Sequence, residues 1–225
     1  EGRRDRLVRN LRSIQSAAIA GLVFSVCSTI ALLRLFAAPG LAATDAEIEA
    51  WWSTDDAGDG IVLTVQLIFF GVVGFLWFIG VIRARIDHEP KLFSTVFFGG
   101  GVVLVTLLLA GTAALAVPAI LVRFADRVPS VDIVLASRAL GAALIIDLAT
   151  RVQALVIFST SGLARQTGAL PRWLVVVGFV VGLFLLFNVS FRTPTVFVAF
   201  QAWVALVSVV VLVSRSGRSA PAPDG

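Results

Sequence analysis

Residues 137–161 read SRALGAALIIDLATRVQALVIFSTS. The stretch exceeds the roughly 20 residues that cross a bilayer, yet Asp147 and Arg151 sit near its middle. An ionised side chain at bilayer depth costs about 3 kcal/mol unless it is paired or wetted. Whether this stretch is a span therefore decides the fold, and the rest of the chain supplies the answer. Mean hydropathy is +0.97, and only 14% of the 225 residues are charged. A soluble domain of this size has no interior large enough to hide so much apolar side chain.

Working outward, five further apolar stretches stand at 14–36, 61–82, 94–117, 172–188 and 195–213. With 137–161 they predict an all-α polytopic membrane protein: one bundle of six transmembrane helices over residues 1–213, then a disordered cytoplasmic tail over 214–225. The first stretch follows five arginines (Arg3, Arg4, Arg6, Arg9, Arg12) and so resembles a signal peptide. Its apolar run continues to Leu33, too long for a signal core, and reads as a span.

Lys and Arg in short loops set orientation. The two ends, the loop with Arg83, Arg85 and Lys91, and the loop with Arg165 and Arg172 together hold 12 of them. The opposite set holds five: Arg34, Arg123, Arg127, Arg138 and Arg192. That imbalance places both termini in the cytoplasm. Arginine outnumbers lysine 17 to 1, which suits a GC-rich bacterial genome and a bacterial plasma membrane. Basic residues at segment ends argue for topology control, with no nucleic-acid partner. The first external loop is acidic. Its Thr44 and Glu47 have the spacing of a helix capping box, ahead of Ile48, Trp51 and Trp52. A short surface helix is expected there, its tryptophans at headgroup level; as an alternative it serves as a lid over an outward-facing pocket.

Lipid does not drive helices together, so close packing needs small residues at the contacts. Gly178 and Gly182 form a GxxxG that suits a dimer or internal packing. Gly99, Gly100 and Gly101 lack the Lys-Ser/Thr of a phosphate loop and read as a helix contact. Pro118 is expected to end the third span. At about 100° per residue, Ala136, Leu140, Ala143, Asp147, Thr150, Arg151 and Ala154 share the face expected to line the bundle interior. Ile145, Leu148, Val152, Leu155 and Val156 share the face expected towards lipid, with Arg138 also on that side and snorkelling to the interface.

Asp147 and Arg151, four apart, can pair on one helix. Three roles stay open: a structural ion pair, a proton or ion relay through Asp147, or anion recognition by Arg151. Arg34, Gln66, Arg138, Asn188, Arg192 and Gln201 cluster towards the outer half of the bundle. They are candidates for a basic, outward-opening vestibule suited to a small anion or a lipid headgroup.

Other chemistries lack their residues. His88 is the only histidine and methionine is absent, so bis-histidine and His/Met haem ligation are excluded. Cys27 stands alone, which removes intramolecular disulfides and leaves too few ligands for a His/Cys zinc site. The only lysine, Lys91, lies in a loop, unsuited to a retinal Schiff base. No nucleotide-binding motif and no catalytic triad can be assembled. No cofactor, metal or catalytic residue is assigned.

Residues 74–80 (GFLWFIG), 93–99 (FSTVFFG) and 168–173 (GALPRW) resemble a family of small six-span actinobacterial membrane proteins. That resemblance covers most of the chain and implies architecture alone, since the family brings no assigned activity. Function thus narrows to a small transporter or channel, or, as the alternative, an accessory or scaffold subunit with a membrane-protein partner. A lipid-acting enzyme ranks last for want of a nucleophile or base.

Overall fold

The computed structural model describes residues 3–54, 57–85, 91–168, 170–187 and 194–216. Among these residues the regular structure is entirely helical. The chain runs through α1 (Arg3–Ala37), the short α2 (Asp45–Trp52), α3 (Ala57–Arg85) and α4 (Lys91–Ala125). A long broken helix follows: α5 (Val131–Ala142), a π-helical turn (Ala143–Ala149) and α6 (Thr150–Thr167). It ends at Gly168, whose φ of 65° is the left-handed C-terminal stop that glycine adopts without strain. Then come α7 (Arg172–Phe187), a 3-10 turn (Pro194–Phe197) and α8 (Val198–Ser216).

Four helices are long and apolar enough to cross a membrane: Gln15–Ala37, Gly60–Arg83, Ser94–Ala125 and Val131–Thr167. These match the first four expected spans. Arg172–Phe187 and Val198–Val213 are apolar but shorter. At about 1.5 Å per residue, the 16 residues of α7 reach roughly 24 Å, a little under the hydrocarbon thickness of about 30 Å.

The apolar helices close a ring. α1 packs between α3 and α8, α3 meets α4, α4 meets the broken helix, α6 meets α7, and α7 returns to α8. Inside it, Phe24, Phe75 and Phe200 bring α1, α3 and α8 together, with centroids 4.6 Å apart for Phe24–Phe75 and 6.0 Å for the other two pairs. Tilted and edge-on rings at such distances attract beyond their buried area.

Glycines set the closest approaches. A Cβ on Gly74 would stand 2.8 Å from the Ala20 carbonyl oxygen, and one on Gly101 would stand 2.7 Å from Ile79. The same test puts Gly182 2.7 Å from Phe158 and Gly178 against Ser161, so this GxxxG faces α6 inside the chain.

The structure corrects three local expectations. Pro118 does not end its helix: α4 runs on to Ala125. Proline removes one backbone donor at about 3 kcal/mol, and here the helix absorbs that cost because Pro118 and Ala119 are buried against neighbours. Helix α8 reaches Ser216, past the expected start of the tail; the disorder expected for 217–225 lies outside the described residues. Helix α2 forms with its full capping box, but Ile48 and Trp52 are buried, so it docks on the bundle. Trp52 therefore packs against protein, while Trp51 is half-buried.

Candidate functional site

The broken helix carries most of the polar side chains at membrane depth, and its π turn decides where they point. Upstream, the buried stripe is Val134, Arg138, Gly141, Ala142 and Ile145. Downstream it is Ala149, Thr150, Gln153, Ala154, Ile157, Thr160 and Ser161. An unbroken α-helix would place the second stripe one residue earlier. A π turn inserts that extra residue and rotates everything beyond it.

The simple wheel holds in part: Thr150 and Ala154 are buried and Leu148 and Leu155 exposed, as expected, but Ala136 is exposed. Leu140, expected inside, is 57% exposed, while Ile145 and Val156, expected towards lipid, are fully buried. Ile145 fills the space over Gly111 of α4, where a Cβ would clash with it. Asp147 and Arg151 come to lie at the margin of the bundle, with side chains 30% and 37% exposed. They do pair. The Arg151 guanidinium donates to the Asp147 carboxylate, and also to the Asp147 carbonyl at 2.7 Å. Thr150 Oγ1 donates to the carbonyls of Ile146 at 2.5 Å and Asp147 at 3.1 Å. Side chains thus serve carbonyls at the wide turn.

Beyond the turn, polar groups divide into two kinds. Most buried hydroxyls bond back to their own helix, as Ser25 does to Gly21 (2.8 Å), Ser159 to Leu155 (2.8 Å) and Thr160 to Val156 (2.7 Å). Such groups are satisfied and inert. The second kind has no partner. Gln153 is 0% exposed and Gln201 1% exposed, and neither carboxamide makes a hydrogen bond through nitrogen or oxygen. Ser161 Oγ, Trp203 Nε1 and Ser208 Oγ are likewise buried and unbonded. Ser161 and Trp203 come together, because a Cβ on Gly178 would meet Ser161 Oγ and lie 3.0 Å from Trp203 Nε1. Helices α6, α7 and α8 therefore converge on unsatisfied polar atoms, each costing about 1–3 kcal/mol if left so.

The candidate vestibule residues do not share one cavity. Arg34 is exposed on the last turn of α1. Gln66 is exposed in an apolar groove of about 420 Å³ between α3 and α4, lined by Val62, Phe69, Ala116 and Phe124. Gln201 is in the interior. Asn188 and Arg192 lie outside the described residues, as does His88.

Arg138 has the most unexpected position. It does not snorkel on the lipid side but is 9% exposed. Its Nη1 donates to the carbonyl of Leu35 at 2.6 Å, and its Nη2 to those of Phe36 at 3.1 Å and Ala38 at 2.7 Å. These include the last carbonyls of α1, which have no donor in their own helix. A guanidinium there satisfies them and meets the negative end of the helix dipole. Its plane also lies 5.2 Å from the Phe36 ring centroid.

Sequence reasoning assigned no site role to Gln153, Ser161 or Trp203, and read Trp52 as an interface anchor. A usable signal existed for the first: Gln153 is a carboxamide in an apolar helix that already carried two charges. Among the described residues no group of three or more His, Cys, Asp or Glu is arranged to hold a metal ion. No protein-family profile, curated protein or solved structure matches this chain.

Proposed function

We propose that the protein is a small transporter- or channel-like integral membrane protein, crossing a bacterial plasma membrane six times with both termini in the cytoplasm. This is the architecture of the six-span actinobacterial family that the chain resembles. The observation that carries the reading is the pair of fully buried, unbonded carboxamides, Gln153 and Gln201. A carboxamide offers two donors and an acceptor, and two of them in an apolar bundle suit a small polar solute, or a file of waters, passing beside α6. Arg151 and Asp147 stand two and six residues before Gln153 on the same broken helix.

The test is flux in proteoliposomes, read by stopped-flow light scattering with glycerol and urea and by anion-sensitive dye with chloride. The wild type should exceed protein-free vesicles for at least one probe, and Gln153→Leu should remove the difference while leaving the helix content intact. Vesicles no more permeable than empty ones to every probe would overturn the reading.

A second reading draws on a different observation. The Asp147–Arg151 pair is part-exposed near the middle of the longest apolar helix, where bare lipid is a poor neighbour for charge. A partner helix laid over it would make this chain an accessory subunit. Native mass spectrometry after gentle extraction separates the two: a stoichiometric protein partner, lost in Arg151→Gln, favours the accessory subunit.

A further inference from the structure

A small cavity lies at the C-terminal end of α1. Its wall includes Leu35, Ile61, Leu115 and Pro118, which are apolar, together with Trp52 and Arg138. Trp52 is 4% exposed and its indole N–H has no acceptor. Arg138 is a buried cation, and among the described residues no carboxylate pairs with it. The carbonyls of Leu35, Phe36 and Ala38 take three of its five N–H donors. A helix C-terminus offsets only about half a unit charge, so among the described residues Arg138 keeps a net positive charge in apolar surroundings. Ser137 donates its one hydroxyl proton to the Val134 carbonyl at 2.9 Å, so its oxygen is left as an acceptor. Of the polar side chains in the wall, Arg138 and Trp52 offer donors and one positive charge, and Ser137 alone offers an acceptor.

We propose that this cavity binds a single monoatomic anion of halide size, held by the Arg138 guanidinium and the Trp52 N–H. The size follows from the space, about 10 Å³, which is roughly the room one water-sized sphere needs. Phosphate, a carboxylate or a lipid headgroup does not fit. Low dielectric around the site strengthens the attraction between the ion and Arg138. Because Trp52 belongs to α2, anion binding also tightens the docking of α2 on the bundle. The proposal is independent of whether the protein transports anything.

The test uses the full chain in mild detergent, in sodium gluconate at fixed ionic strength, with chloride or bromide substituted stepwise. The thermal midpoint should rise saturably with halide, because a ligand that binds only the folded state stabilises it by mass action. Trp52→Phe removes the N–H together with part of the buried ring, so it is judged by its halide dependence and not by its midpoint alone; it should raise the half-saturating bromide concentration about tenfold. Arg138→Gln should abolish the effect. If Arg138→Gln fails to fold, Trp52→Phe decides. Crystals grown with bromide should show an anomalous peak between Trp52 and Arg138. Equal midpoints in gluconate and halide, a halide effect undiminished in Trp52→Phe, or a bromide-free cavity holding water alone would each overturn the proposal.

Discussion

At the scale of single residues, what matters is whether a polar group has its partner and whether a contact has room. The Asp147–Arg151 pair is a test of the first. Removing one member leaves the other charge alone in an apolar helix, which is costlier than removing both. Asp147→Asn is therefore expected to destabilise the protein more than Asp147→Asn with Arg151→Gln, with a coupling of about 1–3 kcal/mol, read from unfolding midpoints in detergent. Equal losses would mean that water already solvates Arg151. Gly178 tests the second. Gly178→Ala puts a methyl against Ser161 Oγ and Trp203 Nε1, and overpacking of this kind costs about 1–3 kcal/mol; Gly40→Ala, with open space around it, is the control. Which residues would matter was only partly legible. The ion pair announced itself by spacing alone. Arg138 did not, because its partners are backbone carbonyls some hundred positions away, and carbonyls leave no mark in a sequence.

At the scale of elements, the apolar windows found the first four helices because length and hydropathy determine them. The π turn escaped notice, since Ala143–Ala149 contains no glycine or proline to announce it, and a single inserted residue changes no composition. Its consequence can be measured. In a Cys27→Ser background, single cysteines at positions 140–161 should alternate between protected and labelled by a membrane-permeant maleimide. The protected stripe should step forward by one residue beyond Asp147, and a stripe that keeps α-helical spacing throughout would contradict the π turn. The start of helix α2, by contrast, was legible in the sequence, because a capping box is a local pattern, whereas its docking on the bundle was not. The Thr44 backbone N–H donates to the Glu47 carboxylate at 2.8 Å, and the Thr44 hydroxyl at 3.0 Å. The backbone bond first, and the side-chain bond second, hold the Glu47 carboxyl below its ordinary value. A depressed carboxylate stabilises the folded state above its unfolded pKa, about 4.3, and that contribution is lost as pH falls through the lower folded value. Hydrogen-exchange protection of the α2 amides should hold from pH 7 to about pH 5 and decline below about pH 4. Thr44→Ala should lower protection at every pH and flatten the decline.

At the scale of the whole molecule, the open issue is how many times the ring crosses the membrane. Four helices are long enough without question, and the count of six rests on α7 and α8. Two physical arguments bear on it. The ring is closed by α8 against α1 and by α6 against α7, so α7 and α8 stand beside full-length helices. A shortfall of a few ångströms is also cheap, because the bilayer thins locally at a fraction of a kcal/mol per Å. The exposed faces agree: Val176, Val180, Leu183 and Phe187 of α7 form an apolar stripe, as a helix bathed in lipid presents. The sequence contributes the expected sign, since a six-span topology would put 12 basic residues on one side and five on the other. Six crossings then require that reporters after residues 170 and 216 lie on the same side. Fusions of alkaline phosphatase at those two positions should be inactive, and a fusion after residue 128 should be active, because that enzyme folds only outside the cytoplasm. If α7 and α8 instead lay along the surface, the fusions at 170 and 216 would still match. The discriminating measurement is therefore inside the segments. A cysteine at 180, near the middle of α7, should resist a membrane-impermeant maleimide from either side when α7 crosses, and should react from one side if α7 lies at the interface. Labelling from either side would reduce the bundle to four crossings and place Trp203 and Gln201 near the membrane surface, where unbonded carboxamides need no solute to explain them.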